Sequence, residues 1–349
     1  MSVFNAPDFD GHENVVFGHD EATGLKCIIG IHNTNRGPAL GGSRFWNYDN
    51  EQDAITDVLR LSKGMTYKAA ITGLDLGGGK SVIIGDPKKI KTPDLMRAFG
   101  RVIDRLNGKY ITAEDVGTTV ADMDYIREST PHVRGKSTGT GNPSPVTAYG
   151  TFQGIKAAVK HQLKTDELTD LRVSVQGVGN VGYYLCKYLH EAGAKLIVTD
   201  INPESIKRVV AEFGATPVGL EDIYIQNVDV YAPCALGATI NDQTIDLIKA
   251  KIVAGAANNQ LKEERHGQAL KDNGILYAPD YVINAGGLIN VASETPDYDP
   301  KVVNAQVENI YNTLIEIFQR AETENRPTSF VADRMAEERF KAPIQAAAE

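Results

Sequence analysis

Val173-Ser174-Val175-Gln176-Gly177-Val178-Gly179-Asn180-Val181-Gly182 is the stretch that decides the fold. A short apolar strand runs straight into GxGxxG, and Val181 to Glu191 continues at helical spacing. A second strand, Lys195-Leu196-Ile197-Val198-Thr199, ends at Asp200, twenty-three residues after Gly177. Strand, glycine turn, helix, strand and terminal acid together make a dinucleotide fingerprint. Gly177 permits the tight turn, Gly179 lets a pyrophosphate approach, and Gly182 lets helix and strand pack closely. The helix start, with Val178, Asn180 and Val181, offers free N–H groups and the positive end of a dipole to phosphates. Asp200 would accept hydrogen bonds from ribose hydroxyls and repel a 2′-phosphate, which favours NAD over NADP. Lys207, a little further on, works in the opposite direction.

Outward from this turn the pattern keeps alternating. A helix over Pro203 to Phe213, the strand VDVYAPC, a helix near Ile245 to Ala250 and the strand KIVAG follow in order. Such alternation predicts a doubly wound parallel sheet over residues 138–330. Upstream, GKSTGTGNPSP (Gly135 to Pro145) is rich in Gly, Ser, Thr and Pro and reads as an interdomain connection, with a helix through Tyr149 to Val159 after it. Val303, Val307, Ile310, Leu314, Ile317 and Phe318 form the stripe of one long helix. A last helical stretch, Val331 to Phe340, is expected to pack back on the first domain with residues 331–349, and QAAAE reads as a loose tail.

Residues 1–137 read as a separate α/β domain. Leu25 to His32 is an expected strand with Cys27, Ile29 and Ile31 on one face, and Glu51 to Lys68 an expected helix ending at Lys68. Ser81 to Gly85 reads as a buried strand, Leu95 to Leu106 as a helix, and Tyr110 to Val116 as a strand that sends Ala113 and Asp115 to one face. LGGGK places Gly77, Gly78 and Gly79 before Lys80, with Lys68 twelve residues upstream. Glycines leave room for a ligand against the backbone. Two lysines at one site favour a fixed carboxylate on one and a depressed pKa on the other. A Walker phosphate loop needs four residues between its first glycine and the GK pair; Gly73 to Gly79 encloses five.

Composition narrows the function classes. The chain has 349 residues and a formal net charge of -9, which disfavours nucleic acid and anionic membranes as partners. No apolar run approaches the roughly 20 residues of a membrane span, and the N-terminus lacks a secretory pattern. Cys27, Cys186 and Cys234 are odd in number and form no CxxC, which suits a reducing, cytoplasmic setting with core thiols. The histidines show no HExxH spacing, so no metal is expected.

GPALGGSR (Gly37 to Arg44), GMTYK, LGGGK, TAEDVGT, QGVGNVG, APCALG, AGAANNQL and PDYVINAGGLINV together resemble the amino acid dehydrogenase superfamily, and within it the leucine dehydrogenases. The resemblance runs over nearly the whole chain. It implies an N-terminal substrate-binding and oligomerisation domain, a C-terminal Rossmann NAD domain, a closing cleft between them, and a homo-oligomer, commonly an octamer. The implied reaction is reversible NAD-dependent oxidative deamination of L-leucine and related aliphatic amino acids, with Lys68 as carboxylate anchor, Lys80 as general base and Asp115 as proton shuttle.

The resemblance also implies a substrate pocket at Leu40, Gly41, Gly42, Ala113, Leu288 and Val291. Leu288 stands where leucine dehydrogenases often carry valine. Its further cofactor contacts are Thr147, Cys234, Ala235, Asn258, Asn259 and Asn284. Asp115 reads equally well as a buried salt-bridge partner, and the aliphatic residues as core. Phenylalanine or tryptophan dehydrogenase and a non-catalytic NAD-binding scaffold are the alternatives.

Overall fold

The computed structural model describes residues 3–135, 137, 142–295 and 298–341. The chain divides into two compact units: Met1–Gly141 with Val291–Tyr298 and Ala336–Glu349, and Asn142–Asn290 with Asp299–Met335. The connection expected at Gly135 to Pro145 lies largely outside the described residues. The tail at Gln345 to Glu349 lies wholly outside them.

The first unit is built on β1 (Asn14–Asp20), β2 (Leu25–Asn33), β3 (Ala39–Trp46), α1 (Glu51–Ile71), β4 (Gly77–Ile84), α2 (Pro87–Ile90), α3 (Pro93–Asp104), β5 (Tyr110–Glu114) and α4 (Val120–Arg127). Its mixed sheet runs β1-β2-β4-β3-β5, with β3 parallel to both β4 and β5. One face is covered by α3 and α4, whose Leu95, Met96, Phe99, Ile103, Met123 and Ile126 meet Cys27, Ile29, Ile31 and Tyr110. The other face is covered by α1, where Ala54, Ile55, Val58 and Leu59 meet Ile28 and Val82.

Sheet pairing corrects the reading of β4 as Ser81 to Gly85. The strand begins at Gly77 and Lys80 lies inside it, paired with Gly30 of β2. The glycine run is extended because α1 crosses it: a Cβ on Gly78 would sit 2.0 Å from the Thr66 backbone nitrogen. α1 likewise runs past Lys68 to Ile71. α3 starts earlier than expected, at Pro93, where Thr92 caps it by accepting the Leu95 N–H.

The second unit holds α5 (Ser144–Leu163), β6 (Arg172–Gln176), α6 (Asn180–Glu191), β7 (Lys195–Thr199), α7 (Pro203–Phe213), β8 (Thr216–Pro217), β9 (Val230–Pro233), β10 (Ile252–Val253), α8 (Arg265–Asp272), β11 (Leu276–Tyr277) and α9 (Asp280–Ile283). Then come α10 (Gly286–Ala292), α11 (Pro300–Glu308), α12 (Ile310–Glu324) and α13 (Thr328–Lys341); the division between units falls inside α10 and α13. The sheet is parallel throughout, in the order β11-β10-β9-β6-β7-β8. Strand order reverses between β6 and β9, the switch point of a Rossmann sheet.

Two expected helices differ. Ile245 to Ala250 holds only a 3-10 turn, Ile245–Leu247. The single stripe from Val303 to Phe318 is two helices, because Asn309 closes α11 with its N–H on Ala305 O and starts α12. Among the described residues, no helix is long and apolar enough to cross a membrane.

Candidate active site

In the second unit the glycine turn follows β6 directly. Gly177 has φ +93°, and a Cβ there would lie 2.6 Å from the Ala235 Cβ across the switch point. A Cβ on Gly182 would lie 2.0 Å from Gly177 O, so helix and strand touch here without side chains between them. Around Gly179 there is open space to 4 Å. No side chain caps α6, and Gly179 and Asn180 are exposed, while Val181 is half-buried. Free N–H groups at an open helix start are the donor set a diphosphate needs.

Asp200 follows β7 and accepts the Val178 N–H at 2.7 Å and the Asn202 N–H at 2.8 Å. It thereby ties the turn to the next strand. Cys234 and Ala235 follow β9, and the Cys234 N–H donates to Gln176 O at 2.7 Å. Asn259 adopts φ +51°, and the Asn258 side chain accepts the Asn284 amide at 2.7 Å. Thr147, in the first turn of α5, donates to Pro143 O at 3.0 Å; a Cβ on Gly287 would meet its hydroxyl at 2.7 Å. These residues lie beyond the carboxyl ends of parallel strands or on the helix turns beside them, the edge where such sheets take ligands. They fit NAD. Burial pushes the Cys234 thiol up to about 12 and raises Cys186 further, so neither is a thiolate near neutrality.

In the first unit Lys80 projects toward α1, on the sheet face shared by Gly78 and Val82. It is 7% exposed, and its Nζ lies 2.7 Å from Asp115 Oδ2. Asp115 stands one residue beyond β5, not within a strand to Val116 as expected. The Thr118 hydroxyl accepts its N–H and closes a turn. Burial of the Asp115 carboxyl favours its neutral form, but the charge and hydrogen bond of Lys80 and the charge of Arg44 outweigh burial and hold its pKa below the ordinary 3.8.

Lys68 is half-buried in the last turn of α1. It follows Asp57 and Met65 on one side of that helix, the side that meets β3 through the Asp57–Arg44 ion pair; a Cβ on Gly41 would lie 3.4 Å from Met65 Cγ. Leu40 and Ala113 are buried on β3 and β5. Gly41 and Gly42 have no room for a Cβ, which would strike Gly79 O and Glu114 O. Leu288 and Val291 are half-buried on α10.

Sequence reading missed Arg44 and Asp57 as members of the site. Arg44 Nε lies 3.3 Å from Asp115 Oδ2, its Nη1 2.9 Å from Asp57 Oδ2, and the Tyr48 hydroxyl donates to the same Asp57 oxygen at 2.6 Å. The only signal was the arginine ending GPALGGSR at odd parity to the buried Ser43 and Phe45.

Residues 12–132 match the Glu/Leu/Phe/Val dehydrogenase dimerisation domain. Residues 139–202 and 198–336 match the Glutamate/Leucine/Phenylalanine/Valine dehydrogenase domain. The chain belongs to the Glu/Leu/Phe/Val dehydrogenase family. It is 56% identical to a leucine dehydrogenase of Bacillus subtilis (strain 168) over 98% of this chain and 94% of that protein. An L-tryptophan dehydrogenase of Nostoc punctiforme is 49% identical over 97% of this chain and 96% of its own length. The crystal structure of L-tryptophan dehydrogenase from Nostoc punctiforme superposes with a TM-score of 0.87 at 48% identity, covering 95% of this chain and 96% of that one. A glutamate dehydrogenase from Thermus thermophilus, at 20% identity and a TM-score of 0.76, shares the fold.

Proposed function

We propose that this family member catalyses reversible NAD-dependent oxidative deamination of L-leucine and related branched aliphatic amino acids, giving 2-oxo acids and ammonia. The observation that carries the reading is the Lys80–Asp115 pair at 2.7 Å, nearly closed to solvent at Lys80, in a unit that also buries apolar Leu40 and Ala113. The leucine dehydrogenases at 56% identity support the substrate class. The four side chains assigned to the substrate side chain, Leu40, Ala113, Leu288 and Val291, are all aliphatic, which disfavours glutamate.

Bound NAD supplies the hydride acceptor at the substrate α-carbon. Lys68 binds the α-carboxylate as a point charge on a mobile stem. Lys80 takes a proton from the water that attacks the α-carbon after hydride loss. Asp115, hydrogen-bonded to the same nitrogen, passes that proton to the substrate nitrogen; Lys80, neutral again, takes the proton of the new hydroxyl as the C–N bond breaks, so that ammonia departs and the 2-oxo acid remains. Gly177 to Gly182 and Asp200 bind the pyrophosphate and adenosine ribose; Thr147, Cys234, Ala235, Asn258, Asn259 and Asn284 flank the rest. On the family resemblance we assign Leu40, Gly41, Gly42, Ala113, Leu288 and Val291 each as a contact of the aliphatic side chain. The same reading places the protein in the cytoplasm as a homo-oligomer, an octamer on the family resemblance.

The test is absorbance at the reduced-nicotinamide band with NAD and a panel of leucine, valine, isoleucine, phenylalanine and tryptophan at alkaline pH, ranked by kcat/KM. Leucine, valine and isoleucine should lead. A lead for phenylalanine or tryptophan would move the substrate class to aromatics. No signal with any of them would overturn the enzyme reading. Lys80→Ala should abolish turnover while NAD titration stays near normal.

A further inference from the structure

We propose that Arg44 is a positioning residue for Asp115, clamped in its own turn by Asp57 and Tyr48. The proposal rests on the deamination reading, in which Asp115 must carry protons. Two cations share one oxygen of that carboxylate: Lys80 Nζ at 2.7 Å and Arg44 Nε at 3.3 Å from Oδ2. Lys80 takes part in proton transfer, so it cannot also be the fixed reference for the carboxylate. Arg44 can, because a guanidinium does not release its proton and its planar fork keeps one orientation.

The fork is held at its other end. Arg44 Nη1 reaches both oxygens of Asp57, at 3.2 and 2.9 Å, and Tyr48 donates to Asp57 Oδ2 at 2.6 Å. Arg44, Asp57 and Asp115 side chains are at most 25% exposed, so water screens this chain of charges weakly. Burial and Asp57 push the Tyr48 hydroxyl far above its ordinary pKa, which keeps it a donor.

Asp115 is faced by Lys80 from β4 and Arg44 from β3, with buried Tyr110 of β5 and the Tyr48 hydroxyl within reach of its charge and Asp57 of α1 on the far side of Arg44. The Val116 N–H adds a hydrogen bond to the carboxylate. Among these, removing Arg44 takes away a cation with no part in the proton path. Without that positive charge the Lys80–Asp115 pair, as one unit, holds its protons to higher pH, so the acidic limb of activity, which reports the pair and not the carboxyl alone, should move up.

The experiment measures kcat/KM for L-leucine against pH in the intact protein and in Arg44→Gln, Arg44→Lys and Asp57→Asn. The acidic limb should rise by about one pH unit in Arg44→Gln, with kcat lowered about tenfold. Arg44→Lys should return the limb to its native position yet leave kcat low, because an ammonium cannot span both carboxylates. Asp57→Asn should leave the limb in place and lower kcat several-fold, with NAD affinity unchanged. An unmoved limb in folded Arg44→Gln overturns the proposal. If circular dichroism shows Arg44→Gln unfolded, native kcat in Asp57→Asn overturns it. If the native protein turns over none of the amino acids, the deamination reading has failed. The Asp115 carboxyl titration followed by infrared in native and Arg44→Gln protein then still decides the role of Arg44, and an equal midpoint refutes it.

Discussion

Replacing Gly78 by alanine adds one methyl group at the place where β4 and α1 touch. The new Cβ would lie 2.0 Å from Thr66 N, 2.2 Å from its Oγ1 and 2.4 Å from its Cα. Ordinary contact begins near 3.4 Å, so the helix backbone at Thr66 would have to retreat by about 1.4 Å. The obstacle is backbone, which cannot rotate away as a side chain can. Overpacking of this kind costs about 1–3 kcal/mol, and this site belongs at the upper end. Thr66 is two residues before Lys68, and Gly78 two residues before Lys80 on the same sheet face. The retreat therefore changes the spacing of the two lysines. A displacement near 1 Å in a positioned group costs about 100-fold in rate.

Gly64→Ala is the matched control: it lies in the same helix, is exposed, and has nothing within 4 Å of its added Cβ. It should stabilise by about 0.5–1 kcal/mol through helix propensity and leave kinetics alone. Thermal melts by circular dichroism with kcat/KM for leucine make the comparison. Native melting and native kcat/KM in Gly78→Ala would refute the close approach.

Three other outcomes are expected. Burial pushes His32 down from 6.5 to about 4, with the nearby His12 charge adding to it, and their rings are 4.8 Å apart. The unfolded chain therefore binds the extra proton first, so stability is full above about pH 6.5 and is lost as pH falls toward 4. Melting temperature against pH should show this slope, and His32→Leu should flatten it. Asp200→Ser should raise the NADP-to-NAD ratio of kcat/KM at least about tenfold by removing the repelling charge. It should also weaken NAD binding, since Val178 loses its acceptor, and an unchanged ratio would detach Asp200 from the ribose. Burial pushes Cys27 and Cys234 to about 12, so a thiol reagent near neutral pH should react slowly with the native protein and with all three cysteines after denaturation.

The second unit was legible because buried parallel strands are written as short, mostly apolar runs such as LIV, with a glycine turn between strand and helix. Its cofactor turn is local in sequence, so the residue types alone reveal its parts. The first unit was harder. Gly77 to Gly79 look like a loop in one dimension, yet they pair with β2 and β3 because α1 needs their missing side chains. β3 itself, ALGGSRFW, hides its alternation behind two glycines. Asn309 splits an amphipathic stripe without disturbing its period, which periodicity cannot detect.

The chemistry divides in the same way. Residue order alone determined that one half of the chain makes a Rossmann sheet with an open glycine turn, and it singled out Lys68, Lys80 and Asp115 by their motifs. Only the tertiary structure decided that Asp115 sits on Lys80, that Arg44 shares its oxygen, and that Asp57, from a helix across the sheet face, anchors the arginine. The reason is distance along the chain. Backbone conformation and helix capping are set by neighbours a few residues apart, whereas ion pairs between positions 44, 57, 80 and 115 exist only once the sheet register and the crossing of α1 have brought those side chains into one layer.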